Sequence, residues 1–120
     1  MKRDMELVRD LLLKIEAAPG KPSWQDLTPR GDDAETERIV EHLGLIKDAG
    51  LIKSIDVSTM QWRLQQDIEL TWEGHEFLDD IRDPEIWKKA KEKAGSMASV
   101  GVSFMWELAK AEIKTKLGLP

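Results

Sequence analysis

Apolar residues recur at helical spacing at the start of the chain. Leu7, Val8, Leu11, Leu12 and Ile15 fall on one side of a 3.6-residue period. Asp4 stands where an N-cap carboxylate can accept the free amides of the first turn. Ala17-Ala18-Pro19-Gly20-Lys21-Pro22 then breaks the helix, because proline and glycine cannot continue it. Residues 23–33 show no clear period, and Trp24 and Leu27 either form a short edge strand or fold back onto the core. A second helix is predicted over 34–49, with Ile39, Val40, Leu43 and Ile46 inward and Leu45 beside them. Its ending, Ile46-Lys47-Asp48-Ala49-Gly50-Leu51, has the form of a Schellman stop with Gly50 left-handed and Leu51 packed back on Ile46.

Beyond that stop the period changes. Leu51–Val57 is β-branched and partly alternating, which predicts a strand. Trp62, Leu64, Ile68, Leu70 and Trp72 fall on even positions, with Arg63, Gln65, Asp67, Glu69 and Thr71 on odd ones. That alternation predicts a half-buried returning strand, with a turn at Gln65-Gln66-Asp67 able to interrupt it. The two strands form an antiparallel hairpin on this reading. Thr71 can cap a third helix that buries Phe77, Leu78 and Ile81, and Asp83-Pro84 opens a fourth that buries Ile86, Trp87, Ala90 and Ala94. Gly95–Gly101 is a joint of small residues. A last helix from Ser103 to about Leu117 turns Phe104, Met105, Leu108, Ala109, Ile113 and Leu117 inward.

A helix ending in Ala49-Gly50-Leu51-Ile52, a hairpin, and a new helix opening at Leu70-Thr71-Trp72-Glu73-Gly74 together predict an α+β, mostly helical fold with a winged-helix-like core. Residues 1–83 form that core and 84–120 a C-terminal helical extension. Helix 34–49 then occupies the recognition position and residues 53–68 the wing. The chain also resembles the family known as domain of unknown function 2513. The resemblance rests on Met1–Leu7, on Glu41–Ile52, on Leu70–Asp83, and on Trp87-Lys88-Lys89 with Lys116-Leu117-Gly118-Leu119. It implies the same fold and a bacterial, phage or prophage setting, and it brings no activity, catalytic residue or ligand.

Composition narrows the function. The 120 residues include no cysteine, which removes disulfides, thiolate catalysis and cysteine zinc sites. No apolar run suits a membrane span and the first residues lack a signal-peptide core, so the expected location is the cytoplasm. A phosphate loop, a nucleophile elbow and an HExxH motif are all missing, so no enzyme and no cofactor are expected. His75 with Glu73, Glu76 and Asp79 could hold a metal or exchange protons, but the simpler reading is a helix start with Glu73 at its positive end and Gly74 close to the hairpin.

Two partners remain. DNA is the partner the fold suggests, through Arg38, His42 and Lys47 on the second helix, Lys53 and Arg63 on the wing, and Lys2 and Arg3. A host or phage protein is the other, favoured by the acidic charge over residues 32–69. Lys88, Lys89, Lys91, Lys93, Lys110, Lys114 and Lys116 make the C-terminal helices basic, which reads first as a solvated face. Phe104, Met105 and Trp106 in succession exceed one core stripe, so a homodimer interface with Leu108 and Ile113 stands beside packing on two sides. Trp72 and Trp87 fit helical core positions, whereas Trp24, Trp62 and Trp106 are candidates for a binding hot spot if exposed.

Overall fold

The computed structural model describes residues 1–95 and 101–120. Helix α1 (Met5–Ala17) starts at Asp4, whose Oδ1 accepts the Glu6 amide at 2.9 Å, and it buries the five apolar residues of its predicted stripe. The segment expected as an edge strand or a fold-back forms a single helical turn, α2 (Trp24–Leu27), which folds Leu27 back into the core and leaves Trp24 half-buried. The Asp26 carboxylate accepts the Ser23 amide at 2.9 Å, a local bond that favours a turn of helix over a strand. Helix α3 (Asp33–Asp48) ends as predicted: Gly50 has φ +80°, the Leu51 amide reaches the Ile46 carbonyl at 3.2 Å, and the Gly50 amide reaches Lys47 at 2.9 Å. Leu51 is buried immediately after the stop.

Strands β1 (Ile52–Asp56) and β2 (Gln65–Leu70) pair antiparallel. Lys53 faces Glu69 and Ile55 faces Gln66, so Ser54 opposes two residues, and Asp67 takes φ +51° at this bulge. The bulge shifts the parity predicted for the returning strand. Ile68 and Leu70 are buried as expected, but Gln65 is buried with them and Gln66 is exposed. Trp62 falls in the connection before β2 rather than in the strand. On the other side of β2 the Ile68 amide donates to the Pro22 carbonyl at 2.8 Å. Helix α1 packs on α3 and β2, which closes the first core.

The chain divides into two compact units, Met1–His75 and Glu76–Pro120. The division falls inside α4 (Trp72–Ile81). Thr71 joins the start of α4 to the end of α3: its hydroxyl donates to the Gly50 carbonyl at 2.6 Å and accepts the Gly74 amide at 3.0 Å. Gly74 is buried, and a Cβ there would overlap the Leu51 carbonyl oxygen and lie 3.0 Å from its carbon. Trp72 is not a core residue. The buried stripe of α4 runs through Gly74, Phe77, Leu78 and Ile81, and it leaves Trp72 77% exposed.

The second unit holds the remainder of α4, α5 (Pro84–Ala94) and α6 (Val102–Lys116). Asp83 caps α5 through the Glu85 amide at 2.8 Å, and Ile86, Trp87, Ala90 and Ala94 are buried as predicted. Of the small-residue joint, residues 96–100 lie outside the described residues. Helix α6 buries Met105, Ala109 and Glu112, which is a narrower face than predicted. Phe104 and Leu117 are exposed instead, because the stripe at i, i+4, i+7 from Met105 turns them away. Glu112 is 5% exposed, and its Oε1 lies 2.5 Å from Lys93 Nζ in an ion pair. Phe77 and Trp106 meet edge to face with centroids 5.4 Å apart, and Trp106 Nε1 donates to Asp80 at 2.7 Å.

Candidate functional site

Helix α3 and the hairpin carry five of the seven side chains expected to meet DNA, each with an internal partner, while Lys2 and Arg3 are exposed ahead of α1. Arg38 pairs with Asp4 and with Glu35, the latter at 2.9 Å. His42 is fully buried between the two helices: its Nε2 accepts the Asp4 amide at 2.9 Å and its Nδ1 lies 2.8 Å from the Arg38 carbonyl, which assigns the proton to Nδ1. The ring therefore has no surface to offer a ligand. Burial acts to raise the Asp4 carboxyl, but bonds from the Leu7 amide, Arg38 and the Glu6 amide outweigh it and hold the group below its ordinary value.

The remaining three tie the hairpin down. Lys47 donates to the Ser54 carbonyl at 3.2 Å and to Gln65 Oε1 at 3.0 Å, and Ser54 donates to the same oxygen at 2.6 Å. Gln65 is thus the buried polar residue on which helix and strand converge, and odd-position parity gave no sign of it. Lys53 pairs with Glu69 across the hairpin at 2.7 Å. Arg63 crosses from the connection onto α3, where both Nη atoms meet the Asp48 carboxylate at 2.8 and 2.6 Å. Gly44 provides the bare backbone over which it passes: a Cβ there would come within 3.0 Å of the Arg63 side chain. The hydrogen bond from Arg63 holds Asp48 below the usual carboxylate value, and Asp48 in turn raises Arg63.

With these cations paired, the outward face of α3 is acidic. Asp33, Glu37 and Glu41 follow one another at i, i+4 and i+8, and Asp48, further along the same side, is met by Arg63. The first three are exposed and take no part in the ion pairs of the described residues. Over the whole unit Met1–His75, fifteen acidic residues face ten basic ones.

At the N-terminal end of this face lies a cleft of about 400 Å³. Trp24 of α2, Pro29, Asp33 and Thr36 of α3, and Thr59 and Trp62 of the hairpin connection line it. Side chains bonded to backbone brace that connection. Thr59 Oγ1 accepts the Trp62 amide at 3.1 Å, Ser58 Oγ accepts the Leu64 amide at 2.9 Å, and Asp56 accepts the Ser58 amide at 2.9 Å. Met60 at its tip is fully exposed. The sequence signal for the cleft was limited to two tryptophans without a secure core position.

The other predicted sites do not converge. His75 is exposed on α4 while His42 is buried, and among the described residues no three His, Asp or Glu side chains are grouped to hold a metal ion. Among the expected interface residues, Met105 points inward, Trp106, Leu108 and Ile113 are half-buried, and Phe104 is 44% exposed. No helix of the described residues is long and apolar enough to cross a membrane.

The architecture is that of an α+β protein, predominantly helical, with one antiparallel hairpin. The chain belongs to the family described as Hypothetical protein (DUF2513), whose sequence model matches residues 2–101. It is similar to an uncharacterized protein of Haemophilus influenzae, with 37% identity over 92 residues that make up 76% of each chain. No solved structure matches it.

Proposed function

We propose that the unit Met1–His75 is a winged-helix-like module that binds a basic surface of a host or phage protein, and that it acts by binding rather than by catalysis. In this reading α3 holds the recognition position and the β1–β2 hairpin is the wing. The acidic outward face of α3 carries the argument. A recognition helix in a DNA groove faces closely spaced phosphates, and affinity comes from cations that displace counterions. Here Asp33, Glu37 and Glu41 stand on that face, while Arg38, Lys47, Lys53 and Arg63 are held by carboxylates or by the hairpin. Freeing those cations for phosphate would leave their partner carboxylates beside the DNA, a second cost on top of the first.

The test is fluorescence anisotropy with a labelled random-sequence duplex at about 20 mM and about 150 mM salt. The expected result is no binding at either. The double variant Glu37→Lys, Glu41→Lys serves as the positive control and is expected to gain binding at the lower salt. Affinity of the natural sequence that falls steeply with salt would overturn the reading in favour of a DNA-binding regulator.

A further inference from the structure

We propose that the cleft between Trp24 and Trp62 receives an arginine side chain of the protein partner, seated against the indoles beside the Asp33 carboxylate. The assignment rests on the protein-binding reading and deepens it. About 400 Å³ is near the lower end for small-molecule sites, room for one long side chain rather than a helix.

The indoles are unoccupied in a way that others in this chain are not. Lys91 lies over Trp87 at 5.9 Å and Lys110 over Trp106 at 4.6 Å, so these rings already have a cation. Among the described residues neither Trp24 nor Trp62 has a ring partner, a cation or a hydrogen bond to its indole. A guanidinium is drawn to such faces by the ring quadrupole, and its plane lets it stack where an ammonium cannot.

The polar lining selects the same occupant. Asp33 and Thr36 would lose water to an apolar side chain and gain nothing in return. A guanidinium brings five donors to the same oxygens. Neither lysine nor arginine lines the cleft, and the exposed Arg30 stays outside it. The acidic stripe that begins at Asp33 favours a basic segment and opposes a phosphodiester. The braced connection means that little ordering is required on binding.

The test uses the full chain labelled with nitrogen-15, whose five tryptophans give separate indole signals. It is titrated with N-acetyl-arginine amide, with the neutral N-acetyl-citrulline amide and with N-acetyl-leucine amide, each to about 50 mM because one side chain binds weakly. The arginine probe alone is expected to shift the Trp24 and Trp62 signals saturably. Asp33→Asn should weaken that response about threefold and Trp62→Leu should abolish it, as for one charge-assisted contact and one stacking face. The Asn variant keeps the assignment testable if the Leu variant fails to fold. Absence of a shift, an equal shift with citrulline or leucine amide, or a response indifferent to Asp33→Asn would overturn it. Such a failure leaves the protein-binding reading intact, since that reading is tested separately by the absence of DNA binding.

Discussion

Replacing Gly74 by alanine tests the junction between helix α4 and the end of α3. In an ordinary helix interior the change is favourable by about 1 kcal/mol, because alanine loses less backbone freedom. Here the added methyl overlaps the Leu51 carbonyl oxygen, and backbone cannot swing aside as a side-chain tip can. That oxygen accepts the Thr71 amide at 3.0 Å, and Thr71 also holds the Gly50 carbonyl at 2.6 Å, so moving it strains both bonds. Overpacking costs about 1–3 kcal/mol and a weakened hydrogen bond about 1 kcal/mol more. After the propensity gain, Gly74→Ala should destabilise the protein by about 1–3 kcal/mol. The assay is urea unfolding followed by far-ultraviolet circular dichroism, read as a lower midpoint at unchanged slope. Gly20→Ala is the control: nothing lies within 4 Å of its added methyl and its φ is not positive. It should leave stability unchanged or raise it by up to about 1 kcal/mol. If Gly74→Ala matched the natural protein within about 0.5 kcal/mol, the close approach of α4 to Leu51 would be refuted.

Two further changes probe the polar contacts. The Asp4 carboxyl is held below its ordinary value, so its contribution is fully present above the unfolded pKa of about 3.9 and lost as the pH falls through the folded value. Asp4→Asn keeps the cap but removes the charge facing Arg38. It should cost less than about 1 kcal/mol near pH 7, since the pair is partly solvated, and the difference should vanish in acid. A difference that stayed constant with pH in urea melts would rule this out. In the second unit, Lys93→Met leaves Glu112 buried without its cation and should cost about 1–3 kcal/mol, whereas adding Glu112→Leu should restore most of it. Thermal unfolding of the two variants decides the matter, and a neutral Lys93→Met would show that solvent rather than Lys93 sustains the carboxylate.

Much of the local structure was legible in the order of residues. The stripe Leu7–Ile15, the stop at Gly50, the cap at Thr71 and the Asp83-Pro84 start are set by neighbours within about one helical turn, the range over which side chains and backbone amides meet along a helix. Tertiary structure decided what the polar residues do. Arg63 meets Asp48 fifteen positions away, and His42 meets the Asp4 amide across thirty-eight, so their charge and shape alone marked them equally well as ligands for DNA. Gln65 was hidden for another reason: the interruption allowed at Gln65-Gln66-Asp67 is a bulge with one extra residue at Asp67, and alternation along the sequence does not say which neighbour it turns inward. The cleft depends on the same kind of information, because Trp24 and Trp62 come together only once α2 and the hairpin connection have folded beside α3. Apolar periodicity thus specified the longer helices and the hairpin but not α2, while the pairing of charges across distant segments determined which face was left acidic.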